Sequence, residues 1–230
     1  MNLRKITSLF KWTALSASAV IALNVSAFDI GGGIGNPTTK MIIGDSIFAL
    51  SGDIREFLED SLNESIDGYA RVGCQMNGGN FICSSNYAVP RQYARADKRG
   101  IETVIMNGGG NDFLLGEGAS CGNGATNACK EILFAVEETI SGLVEDMHSD
   151  GIDEIVFMGY YDTTASSQNN ALNDYSMEYK IANYPAMGVK FVDTRFAFRG
   201  NERSYIKSDG IHPTAAGSRV LADLIRQQLD

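Results

Sequence analysis

Histidine is scarce in this chain: 230 residues hold only two, His148 and His212. Any chemistry that needs an imidazole base must use one of them, so a His-dependent site can be built in few ways. Cysteine is nearly as sparse, at four. The Cys74/Cys83 and Cys121/Cys129 spacings are wide for a zinc site and no histidine lies nearby, which argues against a metal. Basic residues are outnumbered, 19 Lys and Arg against 28 Asp and Glu, for a net charge of −9. That balance argues against nucleic acid and anionic lipid surfaces as partners, and makes highly anionic substrates poor candidates unless a basic pocket overrides the average. Past the N-terminal segment no apolar run approaches the ~20 residues of a membrane span, so stable membrane insertion is not expected. Internal repeats, low-complexity tracts and linkers are also missing, which leaves one domain.

What is present begins with an export signal. Arg4, Lys5 and Lys11 make a basic start, Trp12 to Val25 is mostly apolar and small, and Val25-Ser26-Ala27 offers a signal peptidase its small-x-small pattern. Residues 1–27 are therefore expected to be a signal peptide, and residues 28–230 an exported domain, periplasmic or secreted. The leader holds three cations and no acids, so its loss takes the net charge from −9 to −12. In an exported chain the four cysteines suggest two disulfides. Three pairings are open. Cys74–Cys83 and Cys121–Cys129 are favoured because each pair is close in sequence and closes a Gly/Asn-rich loop. The glycines at 31–35 precede the first strand and no G-K-[ST] follows them, so they carry no phosphate-loop signal.

Apolar patterning alternates between short runs and helical stretches. Lys40–Gly44, Thr103–Met106, Ile155–Met158 and Val189–Val192 read as strands, and Gly68–Val72 as a weaker one. Helices are expected over Ile54–Leu62, over Arg91–Lys98 from a start near Pro90, over Cys129–His148, over Leu172–Tyr184, and after an N-cap at Thr214. Alternating strands and helices imply an α/β fold with a parallel sheet covered on both faces.

In such sheets active sites gather at the carboxyl ends of the strands. Ser46 falls just past the first strand, Gly108 to Asp112 past the third, and Tyr160-Tyr161-Asp162 past the fourth. Asp209 to His212 precede the last helix, close enough for one turn to place carboxylate and imidazole together. A serine hydroxyl needs an imidazole to take its proton, and the imidazole needs a carboxylate to fix its tautomer. A tetrahedral intermediate needs donors, and the Asn111 amide is one. Asp45 and Asp112 read as turn and loop acceptors, and His148 as a partner for the C-terminal dipole of its helix. Ser120 sits in a G-x-S-x-G pattern, but its surroundings are Gly, Ala, Ser and Asn rather than the strand-to-helix elbow that motif requires.

Gly44-Asp45-Ser46-Ile47, Gly109-Gly110-Asn111-Asp112 and Asp209-Gly210-Ile211-His212-Pro213, in this order, resemble the conserved blocks of the GDSL/SGNH hydrolase superfamily. The resemblance spans nearly the whole of residues 28–230, with Ile47 where Leu is commoner. It implies a three-layer α/β/α, flavodoxin-like parallel sheet and no cofactor. It also implies Ser46 as nucleophile, His212 as base and Asp209 as its partner. The oxyanion hole would be formed by the Ser46 N–H, Asn111 and a glycine after the second strand. Gly73 is the best match for that glycine, with Gly78 and Gly79 as alternatives.

The expected activity is hydrolysis of carboxylic esters with short acyl or O-acetyl groups, on a small-molecule or glycan substrate. Acyl transfer, or lysophospholipase or thioesterase action, would use the same residues. A carbohydrate-binding surface protein on the same scaffold is the non-enzymatic alternative.

Overall fold

The computed structural model describes residues 38–115, 121 and 125–229. The expected signal peptide, the glycines at 31–35 and Ser120 lie outside the described residues. Five strands form one parallel sheet: β1 (Lys40–Ile43), β2 (Ile66–Gly68), β3 (Thr103–Met106), β4 (Glu154–Met158) and β5 (Val189–Val192). Their order across the sheet is β2-β1-β3-β4-β5, the doubly wound order of flavodoxin-like folds. Lys40 pairs with Ile66 on one side and Thr103 on the other, and Ile155 pairs with Val104 and Val189.

Strands buried on both faces need apolar residues at every position, and β3 and β4 supply them in Val104-Ile105-Met106 and Ile155-Val156-Phe157-Met158. Side chains alternate between the two faces. Met41, Ile43, Val104, Met106, Ile155 and Phe157 enter one core with α3 (Val89–Arg95) and α5 (Asn127–Ser149). Ile42, Ile105, Val156, Met158 and Val192 enter the other with α1 (Ser46–Ala49), α2 (Asp53–Leu62), the short α7 (Arg195–Phe198) and α8 (Glu202–Tyr205), and α9 (Ala215–Arg226). The layers are thus helix, sheet, helix.

Helix α5 buries Leu133, Val136, Ile140, Leu143, Val144 and Met147, spaced to share one helical face. Thr126 caps its start by accepting from the Cys129 N–H at 3.3 Å. At its other end His148 Nε2 lies 2.9 Å from the Met187 carbonyl, so His148 fastens α5 to the turn before β5. Helix α6 (Ser167–Asn183) starts earlier than the apolar pattern indicated, because its first turn is polar. Thr214 caps α9, accepting from the Gly217 N–H at 3.2 Å.

The weak second strand is displaced from its expected position at Gly68–Val72. Its ladder starts at Ile66, the buried residue of β2, and past Gly68 the N–H groups of Tyr69 and Arg71 still donate to Ile42 O at 2.8 Å and Gly44 O at 3.1 Å before the chain turns at Val72. With Asp67 and Gly68 beside it, Ile66 shows no alternating pattern to detect. Gly73 therefore lies in a turn five residues beyond β2 rather than directly after it.

Candidate active site

The order of strands reverses at β1, whose neighbours β2 and β3 lie on opposite sides and whose carboxyl end is therefore the switch point of the sheet. Ser46 begins α1 there, after the tight passage Gly44-Asp45. Gly44 has φ +147°, and a Cβ on it would lie 1.9 Å from Asn107 Oδ1. Only a glycine lets the chain pass so close to that amide. Gln92 clamps the same residue, accepting from its N–H at 2.8 Å and donating to its carbonyl at 2.9 Å.

Ser46 Oγ lies 2.9 Å from His212 Nε2, and His212 Nδ1 lies 2.8 Å from Asp209 Oδ2. The Asp209–Gly210–Ile211–His212 turn is held by Asp209 Oδ1, which accepts from the N–H groups of Ile211 and His212, both at 2.9 Å. Tyr161 O–H donates to the Ile211 carbonyl at 2.6 Å and anchors that turn to the loop after β4. Partial burial works against the charge on Asp209, but the two backbone N–H bonds and the imidazole outweigh it, and its carboxyl is held below the usual range. It stays ionised wherever His212 can act as a base.

Around Ser46 several donors are unspent. Its own N–H, at the first position of α1, has no protein acceptor among the described residues, as expected of a helix N-terminus. The buried Gly73 N–H has none either. Gly73 has φ +74°, and Ile82 Cγ2 would lie 2.6 Å from a Cβ there. Asn111 is buried on α4 (Gly110–Leu114), and its Nδ2 donates to the Cys74 carbonyl at 3.0 Å, leaving a second hydrogen on that amide. Gly78 and Gly79, by contrast, are exposed at the far side of the same loop.

The loop carrying Gly73 and the loop carrying Asn111 are laced together. Gln75 Nε2 donates to the Asn111 carbonyl at 3.3 Å, and Asp112 accepts from the N–H groups of Met76 and Asn77, both at 2.9 Å. A disulfide joins Cys74 to Cys83 across the first of these loops, and a second joins Cys121 to Cys129. Burial dominates the titration of Asp112 and pushes it up to about 6 despite its backbone hydrogen bonds.

Asp45 and Tyr160 support the nucleophile together with two residues that the sequence did not single out, Asn107 and Gln92. Asp45 is buried, and its Oδ1 caps α1 through the Ile47 N–H at 3.0 Å and accepts from Asn107 Nδ2 at 2.9 Å. Its Oδ2 accepts from Tyr160 O–H at 2.5 Å, and the Tyr160 oxygen in turn accepts from the Gly110 N–H at 3.2 Å. Burial raises the Asp45 carboxyl above its ordinary value, opposed by these hydrogen bonds. Asn107 carries a partial signal, being a polar residue directly after the apolar run Val104-Ile105-Met106, whereas Gln92, between Arg91 and Tyr93, carries none. Arg199 bridges Asp162 at 2.7 Å and Asp174 at 2.6 Å, tying the loop after β4 to α6.

A cavity of about 110 Å³ opens beside Ser46 and runs between α4, α5 and α6. Its walls are largely apolar, with Leu114, Leu133, Val136 and Leu172 among them. Among the described residues no group of His, Cys, Asp and Glu is arranged to hold a metal ion. No helix among them is long and apolar enough to cross a membrane.

The family model of GDSL-like lipases and acylhydrolases matches residues 42–220. The chain belongs to that family, and with it to the carboxylic ester hydrolases. Solved structures share the fold at low identity. A protein described as an SGNH hydrolase from Slackia heliotrinireducens is 18% identical over 85% of this chain and 100% of its own, with a TM-score of 0.61. A lipase from a goat rumen metagenome is 15% identical over 83% of this chain and 97% of its own, at 0.63. A catalytic mutant of an acetylxylan esterase from Geobacillus stearothermophilus is 17% identical over 85% and 95%, at 0.61. A search of the curated proteins finds no match.

Proposed function

We propose that this protein is an exported serine hydrolase that cleaves carboxylic esters of short acyl groups through an acyl-enzyme. The observation that carries the proposal is the unbroken relay from Ser46 Oγ through His212 to Asp209, at 2.9 and 2.8 Å. His212 Nε2 takes the Ser46 proton as Oγ attacks the ester carbonyl, while Asp209 holds Nδ1–H and stabilises the imidazolium. The carbonyl oxygen becomes an oxyanion, met by the N–H groups of Ser46 and Gly73 and by the spare Asn111 amide hydrogen. The imidazolium then protonates the departing alcohol as the C–O bond breaks. Water, deprotonated by the same imidazole, attacks the acyl-enzyme, releases the acid and returns the proton to Ser46.

Export rests on the leader at residues 1–27, and the two disulfides are compatible with an oxidising compartment. The small volume of the cavity, about 110 Å³, favours a short acyl group. The acetylxylan esterase among the structural relatives makes a glycan ester a natural substrate class to try.

The test is hydrolysis of a p-nitrophenyl ester series, acetate to palmitate, by the full chain and its Ser46→Ala variant. Turnover that falls steeply beyond the short chains, and vanishes in the variant, is the expected result. Ester hydrolysis that survives Ser46→Ala overturns the proposal.

A further inference from the structure

The cavity is not apolar throughout. Ser176 and Lys180, one turn apart on α6, both line it. Lys180 is 2% exposed and Ser176 9%, and Lys180 Nζ is paired with Glu137 of α5, itself 5% exposed. The cluster is closed on its outer side: Tyr184 O–H donates to Glu137 Oε2 at 2.8 Å. Lys180 Nζ also donates to Ser176 Oγ at 2.9 Å and lies 5.6 Å from the Phe157 ring centre and 5.5 Å from that of Tyr184. Ser176 Oγ therefore spends an acceptor site on the ammonium, while its own hydrogen has no protein acceptor among the described residues. None of these groups touches the Ser46–His212–Asp209 relay.

This cavity takes the acyl half of an ester. The leaving alcohol must lie within hydrogen-bond reach of His212 Nε2 to receive its proton, yet neither His212 nor Asp209 lines the cavity, whereas Ser46, Asn111 and Gly108 to Gly110 do. An apolar cavity of ~150 Å³ accommodates benzene, so about 110 Å³ has room for roughly four or five heavy atoms beyond the carbonyl. A plain hydrocarbon tail packed against the Ser176 hydroxyl would leave its hydrogen dry and unpaired, which is unfavourable in a buried site. An oxygen at that point would accept it.

We propose that the cavity selects short acyl groups bearing a hydrogen-bond acceptor along the chain, such as oxoacyl or hydroxyacyl groups, with the Ser176 hydroxyl as the recognising donor and the Lys180–Glu137 pair fixing its direction. The inference rests on the assignment of Ser46 as nucleophile, and the experiment separates the two.

p-Nitrophenyl pentanoate and p-nitrophenyl 4-oxopentanoate have the same chain length and differ at one carbon. With both rates corrected for the ratio of their hydroxide hydrolysis, the oxo ester is expected to be preferred in kcat/KM by about tenfold, the worth of one net hydrogen bond. In Ser176→Ala the preference collapses towards unity, and Ser176→Thr, which keeps the hydroxyl, retains it. Calorimetric titration of the Ser46→Ala protein with methyl 4-oxopentanoate and methyl pentanoate reads the same preference with no turnover. A preference for the plain chain, or an oxo preference that survives Ser176→Ala, overturns the inference in either assay. Ser46-independent turnover with the binding preference intact instead counts against the nucleophile alone.

Discussion

Tyr160→Phe is the sharpest perturbation of the framework behind Ser46, because it deletes one oxygen and two hydrogen bonds. The Tyr160 hydroxyl donates to buried Asp45 at 2.5 Å and accepts from the Gly110 N–H at 3.2 Å. A hydrogen bond to a charged group contributes about 1.5–3 kcal/mol, and an orphaned backbone N–H costs about 1–3 kcal/mol. Tyr160 borders the cavity, so water can reach part of the gap and the lower halves of these ranges apply. The sum is about 3 kcal/mol, or a fall in Tm of roughly 6–12 °C for a domain of this size. The loss carries a pH signature as well. Burial already raises the Asp45 carboxyl and the Tyr160 bond pulls it down, so Tyr160→Phe raises it further. A carboxyl raised on folding binds more protons in the folded state, so stability falls as pH rises from the unfolded value towards the folded one. The deficit of the variant should therefore be larger near neutrality than near pH ~4, where more of the carboxyl is protonated and the bond to it is weaker. Urea unfolding of both proteins at the two pH values measures this. A deficit below about 0.5 kcal/mol, or one of equal size at both, would refute the view that Tyr160 stabilises an ionised Asp45.

The other predictions concern the oxyanion donors and the loop that carries them. Asn111→Ala should lower kcat by about 10²- to 10³-fold with little change in KM, because the amide serves the transition state, and steady-state kinetics on a short-chain ester will show the split. Asp112, pushed up to about 6 by burial, should make stability fall as pH rises from about 4 to 7, on the order of 2–3 kcal/mol. Asp112→Asn should flatten that slope in urea titrations while destabilising the fold by about 1–3 kcal/mol, since one of its two backbone donors then meets an amide NH₂. Replacing Cys74 and Cys83 by serine releases a nine-residue separation and should cost about 2–3 kcal/mol, with a fall in kcat because the Cys74 carbonyl positions Asn111.

The sheet was legible where burial on both faces left apolar runs with clean ends: β1, β3, β4 and β5 lie within a residue of their expected bounds. The helix α5 was legible because six apolar residues recur on one face, and Thr214 because a capping hydroxyl preceded an amphipathic run. The edge strand β2 was not, since a three-residue strand with one buried side chain has no period to read. Its misplacement carried directly into the position of Gly73, whose distance from the strand follows from the turn at Arg71–Gly73 rather than from any spacing rule.

For the candidate site the division is chemical. Residues that would meet the reacting atoms occur in short blocks with distinctive composition, so Ser46, Asn111, Asp209 and His212 stood out before any fold was known. The residues that hold those groups in place meet only in three dimensions. Asp45 and Tyr160 are 115 positions apart, Gly44 and Gln92 are 48 apart, and Glu137 and Lys180 are 43 apart. No local pattern links such partners, because each pair is made by two loops or helices that the sheet brings together. The Glu137–Lys180 pair shows the cost of reading polarity alone: on paper both belong on solvated helix faces, yet they are sealed between α5 and α6. Two opposite charges can be buried at that depth only by facing each other and filling their remaining sites with further partners. Glu137 has done so through Tyr184, and Lys180 through Ser176. The Ser176 hydrogen is what that arrangement leaves over, on a residue that lines the same cavity as Ser46.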